Sequence, residues 1–412
     1  MKEFIAGTDI DGFRLDAAKH VTEDFVAQFS TEIRDYARSL GKNNFLVIGE
    51  VAADADWIGR RLGVMFTNPN DPSQHGNVPV SLTTKIEALQ STYLADPSAP
   101  YPGLNAVYDF DASGTSRDAL LMLRQSSDVA TYFDSDYYNT IAGQADYRLS
   151  WTHLEIHDWP RFLQTQPANS AVAQCGAAYL LTVPGQPIIW MGFEQGFNQN
   201  CQLSGYVNAG AATANITELC NDGSDDTLKR QDMFIGGPWR LGSAIPAINQ
   251  LAYIGVWTPE QTTADWTQDP FLNREHAQYI SFRKLTHIRR SCSPLTQGSL
   301  VWRNAQPKVG GLLMYSRIFN GAEMVVVLNP SPNSVSIPPI PIDNTVNYNA
   351  AYQTYVNLLD GFQTATVGYQ NGQAYLYLPN GFLASPYAFL IFAHSNNTAP
   401  YDSYLQTQLC KQ

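Results

Sequence analysis

The sequence has few charged residues, and basic ones are the scarcer sign. Only 15% of its 412 residues are charged, and 25 Lys and Arg stand against 37 Asp and Glu, which gives a formal net charge of −12. Nucleic acids and anionic lipids recruit basic patches, so both classes of partner are disfavoured. No stretch approaches the roughly 20 apolar residues of a membrane-spanning helix. No signal peptide is predicted either, because the first residues hold no apolar run followed by a cleavage site.

Cysteine is also scarce, and its spacing excludes the common metal patterns. The five cysteines form no CxxC pair and no mixed Cys/His spacing, so a structural zinc site is not expected. Cys201 and Cys220 flank a loop rich in Gly, Ala, Asn and Thr, where a disulfide and two free thiols are both open alternatives. Glycosylation sequons begin at Asn215 and Asn396. Together these features predict an extracellular glycoprotein as the parent protein.

Short apolar runs alternate with helical periodicity through the first 290 residues. Residues 10–16, 45–50, 106–110, 149–155 and 187–192 are predicted to be strands. A helix is predicted between the first two, opened by Thr22 and stopped by Gly41. Its predicted apolar face is formed by Phe25, Phe29, Ile33, Tyr36, Ala37 and Leu40. Strands that alternate with helices imply a parallel sheet with helices outside it.

After Ser293 the pattern changes to short apolar runs separated by Asn, Pro and Gly. These runs cover residues 312–315, 324–328, 355–359 and 388–392. Such spacing is typical of an antiparallel β-sandwich. We therefore predict two domains, residues 1–292 and 293–412.

Acidic residues follow four of the predicted parallel strands. They are Asp16, Glu50, Asp109 and the pair His157-Asp158. Active sites of parallel barrels lie at the carboxyl ends of the strands, so polar residues there indicate catalysis. The alternative for any single acid is that it caps the next helix, and this alternative stays open for Asp109.

Two of these acids match the chemistry of glycoside cleavage. That reaction needs an ionised carboxylate as nucleophile and a second, protonated carboxyl with a raised pKa. Arg14 lies on the same strand face as Asp16, and its guanidinium would keep Asp16 ionised. Glu50 follows an apolar strand, and burial there would raise its pKa.

Five segments in order resemble the α-amylase family. The segment 12–20, GFRLDAAKH, resembles that family's fourth-strand signature, and 45–50, FLVIGE, resembles its fifth strand. The sixth, seventh and eighth strands are matched by 107–110, VYDF, by 154–162, LEIHDWPRF, and by 185–196, GQPIIWMGFEQG. The resemblance implies strands four to eight of a (β/α)8 TIM-type barrel, followed by the antiparallel sandwich.

The resemblance also implies a role for each matched residue. Asp16 is the expected nucleophile, Glu50 the general acid/base and Asp158 the residue that stabilises the distorted sugar. The expected substrate contacts are Arg14, Lys19, His20 and His157, although Lys19 has a solvated helix residue as its alternative. Glu155 and Glu194 are the next candidates for the acid.

The implied activity is retaining hydrolysis of α-1,4-glucosidic bonds in starch-like α-glucans. An α-glucan transferase that uses the same residues and a non-catalytic glucan-binding fragment are the alternatives. The expected partner is an α-glucan polysaccharide or oligosaccharide, with no nucleic acid and no membrane.

Two departures from the family concern ions. The His20 carbonyl matches a calcium ligand, but the family's other calcium ligands precede the fourth strand and have no counterpart here. We therefore predict weak or no calcium binding by this chain. Strands one to three of the family's barrel have no counterpart either, so a fragment of a longer hydrolase is favoured over a self-sufficient shortened enzyme. Ile156 stands where the family has an Asn that ligates chloride, so no chloride is expected.

Overall fold

The computed structural model describes the chain in several stretches. These are residues 1–53, 55–62, 103–134, 147–163, 170–197, 230, 273–343 and 354–394. The chain divides into two compact units, the first formed by Met1–Gly114 and Thr131–Thr152, the second by Thr115–Ala130 and His153–Gln412. The predicted domain boundary at residue 293 stays a prediction.

The first unit is built on a parallel sheet. Its order is β1 (Gly12–Leu15), β2 (Leu46–Gly49) and β3 (Ala106–Val107), and a single parallel bridge from Tyr108 to Trp151 joins it to β4 (Trp151–Thr152). Its helices are α1 (Lys2–Thr8), α2 (Glu23–Ser39) and α3 (Ala55–Leu62), and the chain crosses into and out of the second unit within α4 (Phe110–Leu120) and α5 (Ser126–Phe133). The predicted parallel pairing is confirmed for β1, β2 and β3, but β3 and β4 are shorter than the strands expected at 106–110 and 149–155.

Helix α2 begins where the sequence predicts it. The Thr22 side chain accepts a hydrogen bond from the Phe25 amide at 3.3 Å, which satisfies one of the unpaired donors of the first turn. The predicted face is confirmed in its middle, where Ile33 and Ala37 are buried, but Phe25 is 46% exposed and Val26 is buried in its place. Phe25 instead stacks on Phe29, with ring centroids 5.7 Å apart.

The second unit carries a helical part and an antiparallel part. Its other helices are α6 (Ser170–Leu180), α7 (Ala277–Ser291) and α8 (Ser293–Gln297), and β5 (Gln186–Pro187) shares only Pro187 with the strand predicted at 187–192. An eight-stranded sheet follows, in the order β10, β13, β12, β11, β15, β8, β7, β6, and β9 (Val335–Ser336) pairs with β14 (Leu383–Ala384). The strands of the large sheet are β6 (Ser299–Ala305), β7 (Leu313–Phe319), β8 (Ala322–Leu328), β10 (Ile340–Pro341), β11 (Thr354–Asn357), β12 (Thr364–Gln370), β13 (Gln373–Tyr377) and β15 (Phe389–His394).

Alternation along these strands builds the core of the antiparallel part. Met314, Val325, Val327 and Phe392 are almost fully buried and belong to one apolar cluster. The antiparallel fold of this region is confirmed by the pairing of every neighbouring strand in the large sheet. Two sheets packed face to face as a sandwich stay a prediction. Among the helices that the structure describes, none has both the length and the apolarity to cross a membrane.

A buried arginine in β7 is held by main-chain carbonyls. Arg317 has no solvent exposure, and its guanidinium donates to the Thr182 carbonyl at 2.6 Å and the Gly298 carbonyl at 2.7 Å. Both acceptors lie just outside helices, where carbonyls lack helical donors. The arginine therefore ties the end of α6 and the turn before β6 to the antiparallel sheet.

Replacing this arginine is expected to destabilise the chain. Arg317→Met keeps much of the side-chain volume but leaves two buried carbonyls without their donors, at a cost of roughly 3 kcal/mol in the free energy of unfolding. Urea denaturation measures the change. Arg283→Met, at an exposed position of α7, is the control and should shift the free energy by no more than about 0.5 kcal/mol. Equal effects of the two substitutions would contradict the role given to Arg317.

Candidate active site

Two acids follow neighbouring parallel strands of the first unit. In the register of β1 and β2, Arg14 lies beside Ile48 and Leu15 beside Gly49. The Glu50 amide donates to the Leu15 carbonyl at 3.0 Å, which continues the ladder one residue further. Asp16 and Glu50 therefore leave the sheet side by side at its carboxyl edge.

Arg14 bridges the two carboxylates. Its Nη1 donates to Asp16 Oδ1, and its Nη2 donates to Glu50 Oε2 at 2.6 Å. The Tyr108 ring lies under the guanidinium, with its centroid 5.4 Å from Cζ. The Asp16 side chain is 73% exposed and the Glu50 side chain 23% exposed. The Asp16 carboxylate is thus open to a ligand, while the Glu50 carboxyl group is more buried.

The surroundings of Glu50 favour its protonated form. Burial is the largest cause that raises the pKa of Glu50, and a hydrogen bond with Asp16 raises it further. The Arg14 charge and the Ala17 amide, 3.5 Å from Oε2, act in the opposite direction without cancelling the rise. A carboxyl group with a raised pKa beside an exposed carboxylate is the division that acid and nucleophile require.

A tight turn after β1 backs this pair. Ala17 adopts left-handed backbone angles (φ 50°, ψ 33°) and leads into a short 3-10 helix, Ala18–His20. The Lys19 amide donates to the Glu50 carbonyl at 3.2 Å, and Lys19 Nζ donates to the Ala52 carbonyl at 2.9 Å. Of the two predicted sugar contacts on this turn, His20 is exposed and Lys19 is bonded to the next loop.

The carbonyls of this turn have a donor that sequence reasoning missed. Arg61, in the last turn of α3, donates from Nε to the Ala18 carbonyl at 2.9 Å. Its Nη2 donates to the Lys19 carbonyl at 2.9 Å and the Val21 carbonyl at 2.7 Å. A basic residue 43 positions away from Ala18 carries no local signal, so only the fold brings the two together.

The predicted calcium position does not fit the donors that surround it. His20 lies between Lys19 and Val21, whose carbonyls face a guanidinium rather than a free cavity. Calcium takes six to eight oxygen ligands, carboxylates among them. The described residues hold no group of three or more His, Cys, Asp or Glu able to bind a metal ion. The prediction of weak or no calcium binding, like that of no chloride, stays a prediction.

The predicted His-Asp pair lies in the second unit. His157 Nε2 is 3.0 Å from Asp158 Oδ2, and the His157 ring centroid lies 5.9 Å from that of Trp190. Arg230, another residue that the sequence did not point to, donates from Nη2 to Asp158 Oδ1 at 2.6 Å and from Nε to the His157 carbonyl at 3.1 Å. That Asp158 serves the same substrate as Asp16 stays a prediction.

Solved structures that align with this chain include α-amylases. An Anoxybacillus α-amylase aligns with a TM-score of 0.54 and 16% identity over 97% of this chain and 62% of that chain. The α-amylase of Geobacillus thermoleovorans, complexed with acarbose, aligns with a TM-score of 0.55 and 15% identity over 96% and 62% of the two chains. The chain has the α-amylase fold. The resemblance seen in the sequence is thereby confirmed at the level of the fold, and the chain spans about three fifths of these enzymes.

Curated relatives of this α-amylase-fold chain come from a fission yeast. Cell wall alpha-1,3-glucan synthase mok13 of Schizosaccharomyces pombe is 26% identical over 214 residues, which is 47% of this chain and 8% of the synthase. The synthase ags1 is 26% identical over 260 residues, 56% of this chain and 10% of the synthase. The chain thus spans a tenth or less of these relatives. No protein-family model matches it.

Two further acids, Glu155 and Asp109, form hydrogen bonds with other residues of the chain. Glu155, the reserve candidate for the acid, is 2% exposed, pairs with Arg161 at 2.8 Å and accepts from the Phe162 amide at 2.6 Å. Asp109 caps α4 by accepting from the Ala112 amide at 2.9 Å, and it also accepts from the Tyr132 hydroxyl at 2.8 Å. Both carboxylates are occupied, so the capping alternative holds for Asp109.

The cap at Asp109 predicts a pH-dependent stability. Burial raises the pKa of Asp109 to about 6, so the folded state holds this proton more tightly than the unfolded state. Its stabilising contribution is complete below the unfolded pKa of about 3.9 and is lost as pH rises through about 6. Asp109→Asn keeps the cap without ionising, so its advantage over wild type should grow across this window to roughly 2–3 kcal/mol.

Urea denaturation at pH 4, 5, 6 and 7 measures this difference in the free energy of unfolding. Asp128→Asn, which removes a half-exposed carboxylate from the first turn of α5, is the control for the loss of one negative charge. A difference between Asp109→Asn and wild type that stays constant over the whole range would contradict the expectation.

Proposed function

We propose that this chain carries the catalytic residues of a retaining enzyme that hydrolyses α-1,4-glucosidic bonds in starch-like α-glucans. The observation that carries the proposal is the Arg14 bridge between Asp16 and Glu50, with Asp16 open to solvent and the pKa of Glu50 raised. Two carboxylates held by one guanidinium lie close together, as a retaining mechanism requires. The α-amylase fold and the glucan-synthase relatives support the same substrate class.

The first step breaks the glycosidic bond. An Asp16 oxygen attacks the anomeric carbon, and the bond from that carbon to the bridging oxygen breaks as the new ester bond forms. Glu50 delivers its proton to the departing oxygen, so the shortened glucan leaves as a neutral alcohol. Arg14 keeps Asp16 oriented, and it stabilises the carboxylate that Glu50 becomes.

The second step releases the sugar. Glu50, now ionised, takes a proton from water, whose oxygen attacks the anomeric carbon from the side that the leaving group vacated. The ester bond to Asp16 breaks, the Asp16 carboxylate is restored, and Glu50 is protonated again. Two inversions give net retention of the α configuration. We assign the sugar contacts of both steps to Lys19, His20, His157 and Asp158, following the family resemblance.

A transferase is the second candidate, and the names of the relatives support it. They are alpha-1,3-glucan synthases, and a cyclomaltodextrin glucanotransferase, CldA, aligns with a TM-score of 0.54 and 16% identity over 95% of this chain and 58% of that chain. A transferase shares the first step and passes the glycosyl group to a sugar hydroxyl instead of water. A non-catalytic glucan-binding fragment is the third candidate.

Incubation of the purified chain with soluble starch and with maltoheptaose separates the three. Hydrolysis gives reducing ends whose first-formed anomer is α, seen by proton NMR before mutarotation. Transfer gives both longer and shorter oligosaccharides without a net gain of reducing ends. Binding without turnover supports the fragment, and a β anomer as first product would reject the retaining mechanism.

An extracellular or cell-wall location is part of the proposal. Cys292 is disulfide-bonded, and disulfides persist in oxidising compartments. The relatives are cell wall enzymes. Cys175 is a buried free thiol whose pKa burial raises to about 12. The predicted Cys201–Cys220 pair and the sequons at Asn215 and Asn396 lie outside the described residues.

A further inference from the structure

We propose that Arg61 is the built-in cation of the turn formed by residues 17–21, standing where the family resemblance places a calcium ion, and that it positions this turn against Glu50. Arg61 is 2% exposed. It donates to three carbonyls of the turn, those of Ala18, Lys19 and Val21, over 2.7 to 2.9 Å. The positioning of Glu50 rests on the proposed function, whereas the role of Arg61 as the cation of the turn does not.

The guanidinium suits this position because its donors form a rigid planar fork. Nε and Nη2 donate to the carbonyls of two residues of the 3-10 helix, Ala18 and Lys19, and to that of Val21, which follows it. Nη1 is 3.4 Å from Glu23 Oε1, so a carboxylate balances the buried charge. The Trp57 ring covers the other side, 5.0 Å from Cζ. The buried cation thus has a carboxylate and an aromatic ring beside it in addition to the three carbonyls.

A divalent cation cannot share this turn with Arg61. An ion on the His20 carbonyl would lie next to a fixed positive charge that already uses the carbonyls on either side. Burial lowers the pKa of Arg61, but the guanidinium still keeps its proton in proteins. The repulsion would therefore persist at every pH at which the chain is folded.

The turn is also attached to the candidate acid. The Lys19 amide donates to the Glu50 carbonyl, and the Ala17 amide approaches Glu50 Oε2 at 3.5 Å. Gly49, just before Glu50, leaves room for the turn, since a Cβ there would lie 2.9 Å from Ala18 Cβ. Arg61 binds carbonyls of the turn, while two amides of the same turn contact Glu50. Arg61 is therefore a positioning residue, which acts on Glu50 through the main chain.

Terbium luminescence tests whether a metal ion binds at the turn. Terbium occupies calcium sites and emits when a nearby tryptophan is excited, and Trp57 lies beside Arg61. We expect that Trp57→Phe leaves the terbium emission of the full 412-residue chain unchanged. Emission that calcium competes away and that Trp57→Phe abolishes would place a metal ion at the turn and overturn the proposal.

Thermal unfolding tests whether Arg61 stabilises the turn. Arg61→Met should lower the Tm by about 5 °C or more, because one buried and two part-buried carbonyl bonds lose their donor. Arg60→Met removes the neighbouring charge, which lies 3.9 Å from Glu23 and donates to no carbonyl of the turn among the bonds that the structure describes. This control should lower the Tm by less than about 2 °C. Equal losses in the two variants would overturn the proposal.

Arg61→Lys gives a second test if Arg61→Met does not fold. A lysine keeps the charge but has no planar fork, so the turn should loosen without losing its cation. We expect kcat on starch to fall about tenfold with KM little changed. The alkaline limb of the pH profile should move up, because the Ala17 amide no longer helps to lower the pKa of Glu50.

A pH profile identical to that of wild type would refute the positioning role. If the wild-type chain does not turn over starch, the proposed function fails, and the terbium and melting experiments still decide whether Arg61 is the cation of the turn.

Discussion

Glu50→Gln is expected to lower kcat on starch by at least about 100-fold while leaving glucan binding intact. The amide has nearly the shape of the acid and can still accept from Arg14, whose Nη2 lies 2.6 Å from Glu50 Oε2. It holds no proton for the departing oxygen, and general acid catalysis contributes roughly 100- to 10,000-fold. The second step is slowed as well, since the same residue takes the proton of the attacking water.

Two measurements check this expectation. Reducing-sugar release gives kcat, and affinity electrophoresis through a starch gel gives binding. Glu32→Gln, an exposed acid on α2 that pairs with Lys2, is the matched control and should keep wild-type activity. If Glu50→Gln retained more than about a tenth of wild-type kcat, Glu50 would not be the acid. Glu155 could not replace it without leaving Arg161 and the Phe162 amide, so Glu194 would be tested next.

Asp16→Asn should be equally inactive for a different reason. A neutral amide is a poor nucleophile, so no bond to the anomeric carbon forms and the first step stops. The substitution should cost little stability, because the Asp16 side chain is 73% exposed and exposed ion pairs contribute little. Activity and stability are therefore expected to separate in this variant.

The matched control is Asp11→Asn, one residue before β1. Its side chain is 90% exposed and pairs with Lys42 at 2.8 Å, so it resembles Asp16 in exposure and in having a basic partner. Starch hydrolysis and thermal unfolding of both variants complete the comparison. Activity of Asp16→Asn near the wild-type value would show that Asp16 is not the nucleophile, and a Tm drop confined to Asp16→Asn would contradict the expected separation of activity from stability.

Patterns of adjacent residues predicted much of the first unit. Thr22 followed by a periodic apolar segment marks a helix start, and the structure has the helix from Glu23 to Ser39. A short run rich in apolar residues that ends in an acid marks a parallel strand, and β1 and β2 end just before Asp16 and Glu50. These signals are local, so they can be read without the fold.

Predictions that depended on burial were less accurate. Leu40 belongs to the predicted apolar face of α2 but is 46% exposed, whereas Ser30, a polar residue, has no exposure. Which side of a helix is covered depends on the elements packed against it, and hydrophobicity alone does not identify them.

The sequence by itself determined the order of strands and helices, the two acids at the ends of β1 and β2, and Arg14 on the face of Asp16. Each follows from a periodicity of two or 3.6 residues or from a cap within three residues. Only the tertiary structure decided that Arg61 serves the turn after Asp16, that Arg230 pairs with Asp158, and that Glu155 is occupied by Arg161. An arginine side chain is long and its partners are carbonyls or carboxylates of any segment that comes near. Its role is therefore set by which distant segments the fold brings within 3 Å, and no local pattern encodes that distance.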